Sequence, residues 1–252
     1  MACEKHDTET VTKDYKKITI ARTGLGYSGA ADSLIIELNN DSTIKSIKTY
    51  TFGIGTVCAQ TIKTFIYQPN SKLPDSSEIE TKDWMGITGN FTEKYLYENG
   101  RIVHVYSPGI GEGENSSPVT YSYLYNQEGK VMNKISSYSY HQDTLHTNFK
   151  FEYIGENVSS STNGSGDRNK YITFDDKINP LNELFRKCMF PINDEINGLF
   201  PPEYLFSENN PIKMKIQLNG IAIDQIYKYN QFNYPIEVIS NWGYYNIRFY
   251  YE

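Results

Sequence analysis

Apolar or aromatic residues alternate with polar ones in short runs along most of the chain, and Asn, Asp or Gly separates the runs. One example is Tyr95 and Tyr97, followed by Glu98-Asn99-Gly100 and then by Ile102. Alternation with a period of two places every second side chain on the same face of a strand. Asn-Gly between two such runs is the strongest short-range signal for a β-hairpin. The pattern therefore predicts a long antiparallel meander.

The meander is predicted to form one domain over residues 15–252. An antiparallel sheet of this length leaves long edges that invite aggregation, and curling brings those edges together. The predicted fold class is therefore all-β, with the meander curled into an open or incompletely closed barrel. Residues 1–14 are polar and unpatterned, which predicts a flexible tether. Residues 68–80, rich in Pro and Ser, are predicted to form a loop, and residues 159–169 a low-complexity hairpin tip.

The strand pattern breaks over residues 179–211. Asn179 followed by Pro180 is typical of a helix N-cap and first position, and Glu183 falls in the first turn. Leu181 and Leu184 lie at helical spacing, as do Phe185 and Cys188, which predicts one short amphipathic helix. The proline-rich, aromatic stretch that follows the helix is incompatible with a central strand. We therefore expect residues 179–211 to form a helix and a plug that packs against one end of the sheet.

Charge narrows the classes of partner. The formal net charge is −6, and the 24 Lys and Arg residues are spread along the chain without a basic stripe. This excludes nucleic acid as an expected partner. Charged residues such as Lys213, Lys215 and Glu237 stand beside the apolar positions of the predicted strands, which favours a body surrounded by water over a barrel with a lipid-facing apolar band.

No catalytic motif is apparent. The sequence Gly24-Leu25-Gly26-Tyr27-Ser28-Gly29 matches GxGxxG, but a β-like segment follows it where a dinucleotide site needs a helix. Neither the four His nor the three Cys residues show metal-ligand spacing. We expect no enzymatic activity, no cofactor and no metal. Cys58 and Cys188 stand in apolar surroundings and are expected to be buried thiols rather than a disulfide.

Three segments carry a family resemblance. The hairpin Tyr95-Leu96-Tyr97-Glu98-Asn99-Gly100-Arg101-Ile102 is similar to YD-type repeats. Together with the Asn179-Pro180 helix and the ending Ile247-Arg248-Phe249-Tyr250-Tyr251, it resembles an uncharacterised family of Bacteroidetes cell-envelope lipoproteins described as having a porin-like β fold. The start, Met1-Ala2-Cys3-Glu4-Lys5, resembles a lipoprotein in which a short leader replaces the signal peptide before the lipidated cysteine.

The resemblance implies an outer-membrane lipoprotein, on the periplasmic or the surface face, that Cys3 anchors to the membrane. The favoured function is a non-enzymatic scaffold that binds a glycan, a lipid or a partner in its concavity. Phe200 and Tyr204 from the plug and Trp242 from the last hairpin are the candidate ligand-binding residues, because aromatic faces offer stacking surfaces. A scaffold without a small ligand is the main alternative, and a glycan-active hydrolase is the third.

Overall fold

The computed structural model describes residues 15–24, 33–52, 57–83, 85–108, 118–140, 143–164, 166, 168–188, 202–216, 222–240 and 245–252. These residues form sixteen strands, one α-helix and one 3-10 helix. The predicted tether and the GxGxxG loop after Gly24 lie outside the described residues. The side chains of Cys58 and Cys188 also lie outside them, so the thiol expectation stays a prediction.

The first eight strands are β1 (Lys17–Gly24), β2 (Ser33–Leu38), β3 (Ile44–Phe52), β4 (Val57–Tyr67), β5 (Pro74–Lys82), β6 (Thr88–Glu98), β7 (Arg101–Ser107) and β8 (Val119–Tyr125). The remaining strands are β9 (Val131–Tyr140), β10 (Asp143–Ile154), β11 (Asn157–Thr162), β12 (Arg168–Ile178), β13 (Asn209–Ile216), β14 (Ala222–Tyr229), β15 (Pro235–Ser240) and β16 (Tyr245–Tyr251). Helix α1 (Pro180–Cys188) and the 3-10 helix (Pro202–Phe206) lie between β12 and β13.

Each strand pairs with its neighbours in the sequence, and the first strand pairs with the last, so the sheet is a closed barrel. Seven residue pairs join β1 to β16, from Ile18 opposite Tyr251 to Gly24 opposite Tyr245. The backbone N–H groups of Lys16 and Lys17 both donate to the Glu252 carbonyl, at 2.7 and 3.0 Å. The predicted all-β meander and barrel are confirmed, and the structure shows that the barrel closes.

Tight turns join the strands at one end of the barrel, and three of them have the same form. They span residues 39–43, 126–130 and 230–234. In each, the backbone N–H of the first residue donates to the carbonyl of the fifth, and the carbonyl of the first accepts from the N–H of the fourth. The fourth residue has positive φ in all three, with values of 66° at Ser42, 85° at Gly129 and 63° at Asn233. This arrangement, a type I turn followed by a left-handed residue, is a standard connection for a twisted hairpin.

Tyrosines at this end fasten neighbouring strands to each other. The hydroxyl of a tyrosine near the end of an even-numbered strand donates to a backbone carbonyl near the start of the preceding strand, at 2.7 to 3.1 Å. The five tyrosines that do this, which we call the tyrosine latches, are Tyr67, Tyr125, Tyr153, Tyr227 and Tyr251. The abundance of tyrosine therefore has a structural basis, because each ring faces the interior while its hydroxyl satisfies a backbone acceptor.

Burial alternates along the strands and separates an inner from an outer wall. On β6, Glu93 and Tyr95 are buried, whereas Thr92, Lys94 and Leu96 between and beside them are exposed. The inward residues nearest the tight turns are aliphatic or aromatic, and they form one continuous core. Representative members with at most 1% exposure are Ile20, Leu34, Ile36, Ile47, Ile102, Phe151 and Val158.

The helix and the 3-10 helix close the end of the barrel that carries the tight turns. We call these two elements the plug, and this end the plugged end. The Asn179 side-chain oxygen accepts from the backbone N–H of Leu181 at 3.1 Å, as the sequence predicts for an N-cap. Phe206 packs edge-on against Phe185 of the helix and against Phe151 of β10, with ring centroids 5.2 and 5.0 Å apart. The predicted helix and plug are confirmed for the described residues, except that residues 209–211 belong to β13.

Two sequence predictions were wrong in part. Residues 68–73 form the expected loop, but β5 begins at Pro74; β11 ends at Thr162 and β12 begins at Arg168, so the hairpin tip is shorter than the predicted 159–169. Pro74 is tolerated as the first residue of a strand. Along β5, Ser77 and Ile79 face inward and are buried, while Glu78 and Glu80 face outward. A strand whose inner face carries serine lacks the apolar alternation on which the prediction depended.

We expect Gly129→Ala to destabilise the barrel more than Gly100→Ala. Both glycines have positive φ, so each alanine costs about 1–2 kcal/mol in strain. A Cβ at Gly129 would also displace the guanidinium of Arg101, which lies 5.7 Å from the centroid of the Tyr125 ring, whereas nothing lies within 4 Å of a Cβ at Gly100. Urea unfolding of both variants measures the difference, and equal losses of stability would contradict the packing seen at Gly129.

Candidate functional site

The barrel interior changes character away from the plug. Thr49 on β3, Thr61 on β4 and Thr81 on β5 lie directly opposite one another and face inward, and Gly89 on β6 continues the row. We call these three threonines the hydroxyl row. All of them are partly exposed, unlike the buried apolar side chains next to the plug. A side chain at Gly89 would crowd this level of the barrel, because its Cβ would lie only 3.0 Å from the Thr81 hydroxyl oxygen.

A buried ion pair lies between the hydroxyl row and the apolar core. The Lys63 Nζ atom is 2.9 Å from a Glu93 carboxylate oxygen, and the two side chains are only 7% and 8% exposed. The Tyr95 hydroxyl donates to Ser77 at 2.6 Å and lies 3.2 Å from the same Glu93 oxygen. Satisfying a buried carboxylate with both a cation and a hydroxyl reduces the desolvation cost of burying charge. A second inward lysine, Lys134, lies 5.1 Å from the centroid of the Tyr121 ring.

Polar groups bind the plug to the barrel wall. The Tyr204 hydroxyl donates to the Asn210 side chain at 2.7 Å, and the Asn210 side-chain nitrogen donates to Asp175 at 3.1 Å. Asp175 also accepts a short hydrogen bond from the Tyr229 hydroxyl. The Asn179 side chain donates to the carbonyl of Ser207 at 3.0 Å. The network fixes the 3-10 helix to β12, β13 and β14.

Burial in this network raises the pKa of the Tyr204 hydroxyl well above its usual value. Burial also raises the pKa of Tyr229, and the hydrogen bond to Asp175 reinforces the effect. Both hydroxyls are thus held protonated over the whole physiological range, as donors to their acceptors. The arrangement is typical of a fixed structural contact and does not prepare either tyrosine to take part in proton transfer.

A cavity of about 240 Å³ lies at the plugged end, between the plug and the turns that follow β8 and β10. Tyr153, Phe185 and Phe206 contribute aromatic surface to its lining. Much of the remaining lining is charged, and the charged residues are Arg101, Glu128, Lys130, Glu156, Arg186 and Glu208.

The charges around this cavity largely neutralise one another. The Lys130 Nζ atom lies 2.9 Å from Glu128 and 3.0 Å from Glu156, and these hydrogen bonds raise the pKa of Lys130. Arg186 lies 3.8 Å from Glu208. Because the carboxylate in each pair is about half exposed or more, water screens the attraction and each pair contributes little to stability. The cavity therefore presents aromatic surface within a ring of balanced charge.

The candidate residues from the sequence fall in different places. Tyr204 is 2% exposed and belongs to the core of the plug. Phe200 and Trp242 lie outside the described residues. Ser240, the last described residue before Trp242, is at the end of the barrel opposite to the plug, because β15 runs away from Pro235 at the tight turn. Cys3 also lies outside the described residues. The ligand-binding roles of Phe200, Tyr204 and Trp242 therefore stay predictions.

Sequence reasoning missed the hydroxyl row and the buried ion pair. The inward orientation of the row follows from period-two alternation. Thr49 is two residues from the inward-facing Ile47, and Thr61 is two residues from the inward-facing Lys63, so each shares the face of its neighbour. The ion pair had no such signal, since Lys63 and Glu93 come from strands that are separated by β5. Their partnership depends on the registers of two hairpins.

Within the part of the chain that the structure describes, no group of three or more His, Cys, Asp or Glu side chains could hold a metal ion. No helix there is both long enough and apolar enough to cross a membrane.

Comparison with solved structures finds a porin-like protein from Bacteroides uniformis ATCC 8492. It is 14% identical in sequence, the alignment covers 96% of this chain and 99% of that chain, and the TM-score is 0.58. A porin-like protein from Bacteroides vulgatus ATCC 8482 aligns over 96% of this chain and 84% of its own at 10% identity, but its TM-score of 0.29 carries no inference. No protein-family model and no curated protein matches the chain. At this identity the similarity shows the fold alone, and the expected porin-like β fold is confirmed.

We expect Lys63→Met to lower the free energy of unfolding by about 3–5 kcal/mol, because it leaves the Glu93 carboxylate buried without its cation. Replacing both partners, Lys63→Met with Glu93→Leu, should recover part of this loss. Lys213→Met is the matched control, since Lys213 faces outward 3.7 Å from Asp224 and both are about half exposed. Urea unfolding measures all three variants, and a comparable loss in the control would rule out a special role for the buried pair.

Proposed function

We propose that this protein is a non-enzymatic scaffold of the bacterial cell envelope that binds a glycan inside its barrel and is anchored through a lipid on Cys3. The observation that carries the proposal is the arrangement of the inner wall. It is apolar and closed by a plug at one end, and it carries partly exposed hydroxyl groups farther along. A closed base with hydroxyl-lined walls suits a container for a hydroxyl-rich ligand.

The outer wall supports a barrel that faces water. On β14–β16, Glu237 lies between Lys228 and Arg248, at 2.5 and 3.4 Å. The hydrogen bond from Lys228 is the main cause that lowers the pKa of the Glu237 carboxyl. Similar outward ion pairs join Lys48 to Glu37 and Arg168 to Glu152. Charged groups on a lipid-facing wall would be costly, whereas in water they are ordinary.

The envelope location is supported by the similarity in fold to a porin-like Bacteroides protein and by the resemblance of residues 1–5 to the start of a lipoprotein. Neither depends on the other. The proposal keeps the outer-membrane location and leaves the periplasmic and the surface face open.

A scaffold without a small ligand is the second candidate. It is favoured by the dense packing next to the plug, where Tyr204, Leu205 and Phe206 are all at most 5% exposed. Hydrolysis of glycans is less well supported. Glu93 is engaged by Lys63, and Asp175 accepts from Tyr229 and Asn210, so both carboxylates serve as structural acceptors.

We expect a double variant, Thr61→Val with Thr81→Val, to weaken glycan binding about tenfold, because valine keeps the shape of threonine but removes two hydroxyl groups. Thr64→Val with Thr92→Val is the matched control, since these threonines face outward on β4 and β6. A glycan array of bacterial envelope and dietary oligosaccharides identifies the ligand, and calorimetry measures the affinities. Absence of any glycan ligand, or equal weakening in the control, would leave the scaffold without a small ligand as the better reading.

Lipid attachment is tested in the native host. Metabolic labelling with an alkyne analogue of palmitate should label the full-length precursor and should fail to label a Cys3→Ser variant. A precursor that stays unlabelled would remove the proposed anchor while leaving the glycan site untouched.

A further inference from the structure

A set of exposed apolar side chains recurs on the outer wall close to the plugged end. Ile66, Leu96 and Leu124 each immediately precede the last inward tyrosine of an even-numbered strand, and Ile154 directly follows Tyr153 on β10. Their exposed fractions are 39%, 44%, 52% and 74%. We call these four residues the outer rim.

The outer rim is regular because the hairpins are regular. A register shift separates the residue before the last inward tyrosine from that tyrosine on β4, β6 and β8, and the same shift precedes Tyr153 on β10. Ile66, Leu96 and Leu124 therefore point outward at a similar height, and Ile154, two positions farther along its strand, lies nearer the tight turns. Since alternate strands of a sheet lie about 10 Å apart, four such residues form an arc about 30 Å long.

The N-terminal segment joins the barrel at the same end. Tyr15 is buried against Tyr251 and Tyr234, with ring centroids 4.6 and 5.4 Å apart. Tyr234 belongs to the tight turn before β15, and its hydroxyl donates to Glu183 of the plug helix at 2.9 Å. Twelve residues lead from Cys3 to Tyr15, and a chain extends at most about 3.5 Å per residue, so an anchor on Cys3 stays within about 40 Å of the plugged end.

We propose that the plugged end docks on a lipid surface and that the outer rim enters its interfacial region. Exposed leucine and isoleucine side chains at a membrane interface bury apolar area from water. The rim would add this apolar contact to the proposed anchor on Cys3 and would fix the orientation of the barrel. In this orientation the hydroxyl row lies on the side of the plug that faces away from the membrane.

This inference rests on the proposed envelope location, and it names the partner of the plugged end. Its test uses the full-length Cys3→Ser chain, which carries no lipid, and vesicles of phosphatidylcholine and phosphatidylethanolamine. Flotation should show binding that persists in high salt, because the contact is apolar and screening does not weaken it. The triple variant Leu96→Ser, Leu124→Ser, Ile154→Ser should partition at least about tenfold more weakly.

Matched controls lie away from the rim. Met85, Ile87 and Tyr106 lie toward the opposite end of the barrel and are 59%, 40% and 45% exposed, so their replacement by Ser removes similar apolar surface. This control variant should bind like the Cys3→Ser parent, and thermal melting checks that both variants fold. In a second measurement, brominated lipids should quench a tryptophan introduced as Leu124→Trp and leave one introduced as Ile87→Trp unaffected.

Three outcomes would overturn the proposal. The first is failure of the parent chain to bind the vesicles, which is expected if the rim contacts a protein instead. The second is equal binding by the rim and control variants. The third is loss of binding in the control variant alone. Failure of the proposed function has different signatures, since it would appear as unlabelled Cys3 or as the absence of a glycan ligand. Vesicle binding by the Cys3→Ser chain depends on neither result.

Discussion

Pairing between the first and the last strand is the constraint on which the rest of the structure depends. Without the seven residue pairs between β1 and β16, the meander would have two free edges and no enclosed interior. In a closed barrel every strand has one face toward the interior and one toward the exterior. Side chains that alternate with a period of two are therefore alternately buried and exposed. The plug, the buried pair of Lys63 and Glu93, and the hydroxyl row all depend on that enclosed space.

The two walls of the barrel differ in polarity. The outer wall carries ion pairs, and the inner wall grades from aliphatic and aromatic residues at the plug to hydroxyl groups beyond Lys63 and Glu93. A sixteen-stranded barrel is wide enough to leave an aqueous interior unless something fills it. Here the side chains of the plug, chiefly Phe185 and Phe206, fill one part of the interior, and hydroxyl groups such as those of Thr49, Thr61 and Thr81 line part of the described remainder.

Local chemistry made much of the fold predictable. The Asn99-Gly100 turn, the Asn179 cap and the tyrosine alternation each act within a few residues, and each is present in the structure. Strand β5 was missed because burial at Ser77 leaves no apolar signal. The closed barrel and the Lys63–Glu93 pair depend on registers between distant segments, which no single stretch of sequence encodes. For the same reason the burial of Tyr204 against its partner Asn210 could not be predicted from the sequence.

The tyrosine latches have a consequence for how such a barrel can change over evolution. Each latch joins two strands that are consecutive in the sequence, and its donor and acceptor are only 16 to 23 residues apart. A latched hairpin therefore carries its own fastening and needs no specific side chain from the rest of the sheet. Duplication or loss of one hairpin would change the circumference by two strands and would preserve both the plug and the pairing of the first strand with the last. Such a barrel could therefore change its number of strands during evolution without changing its fold.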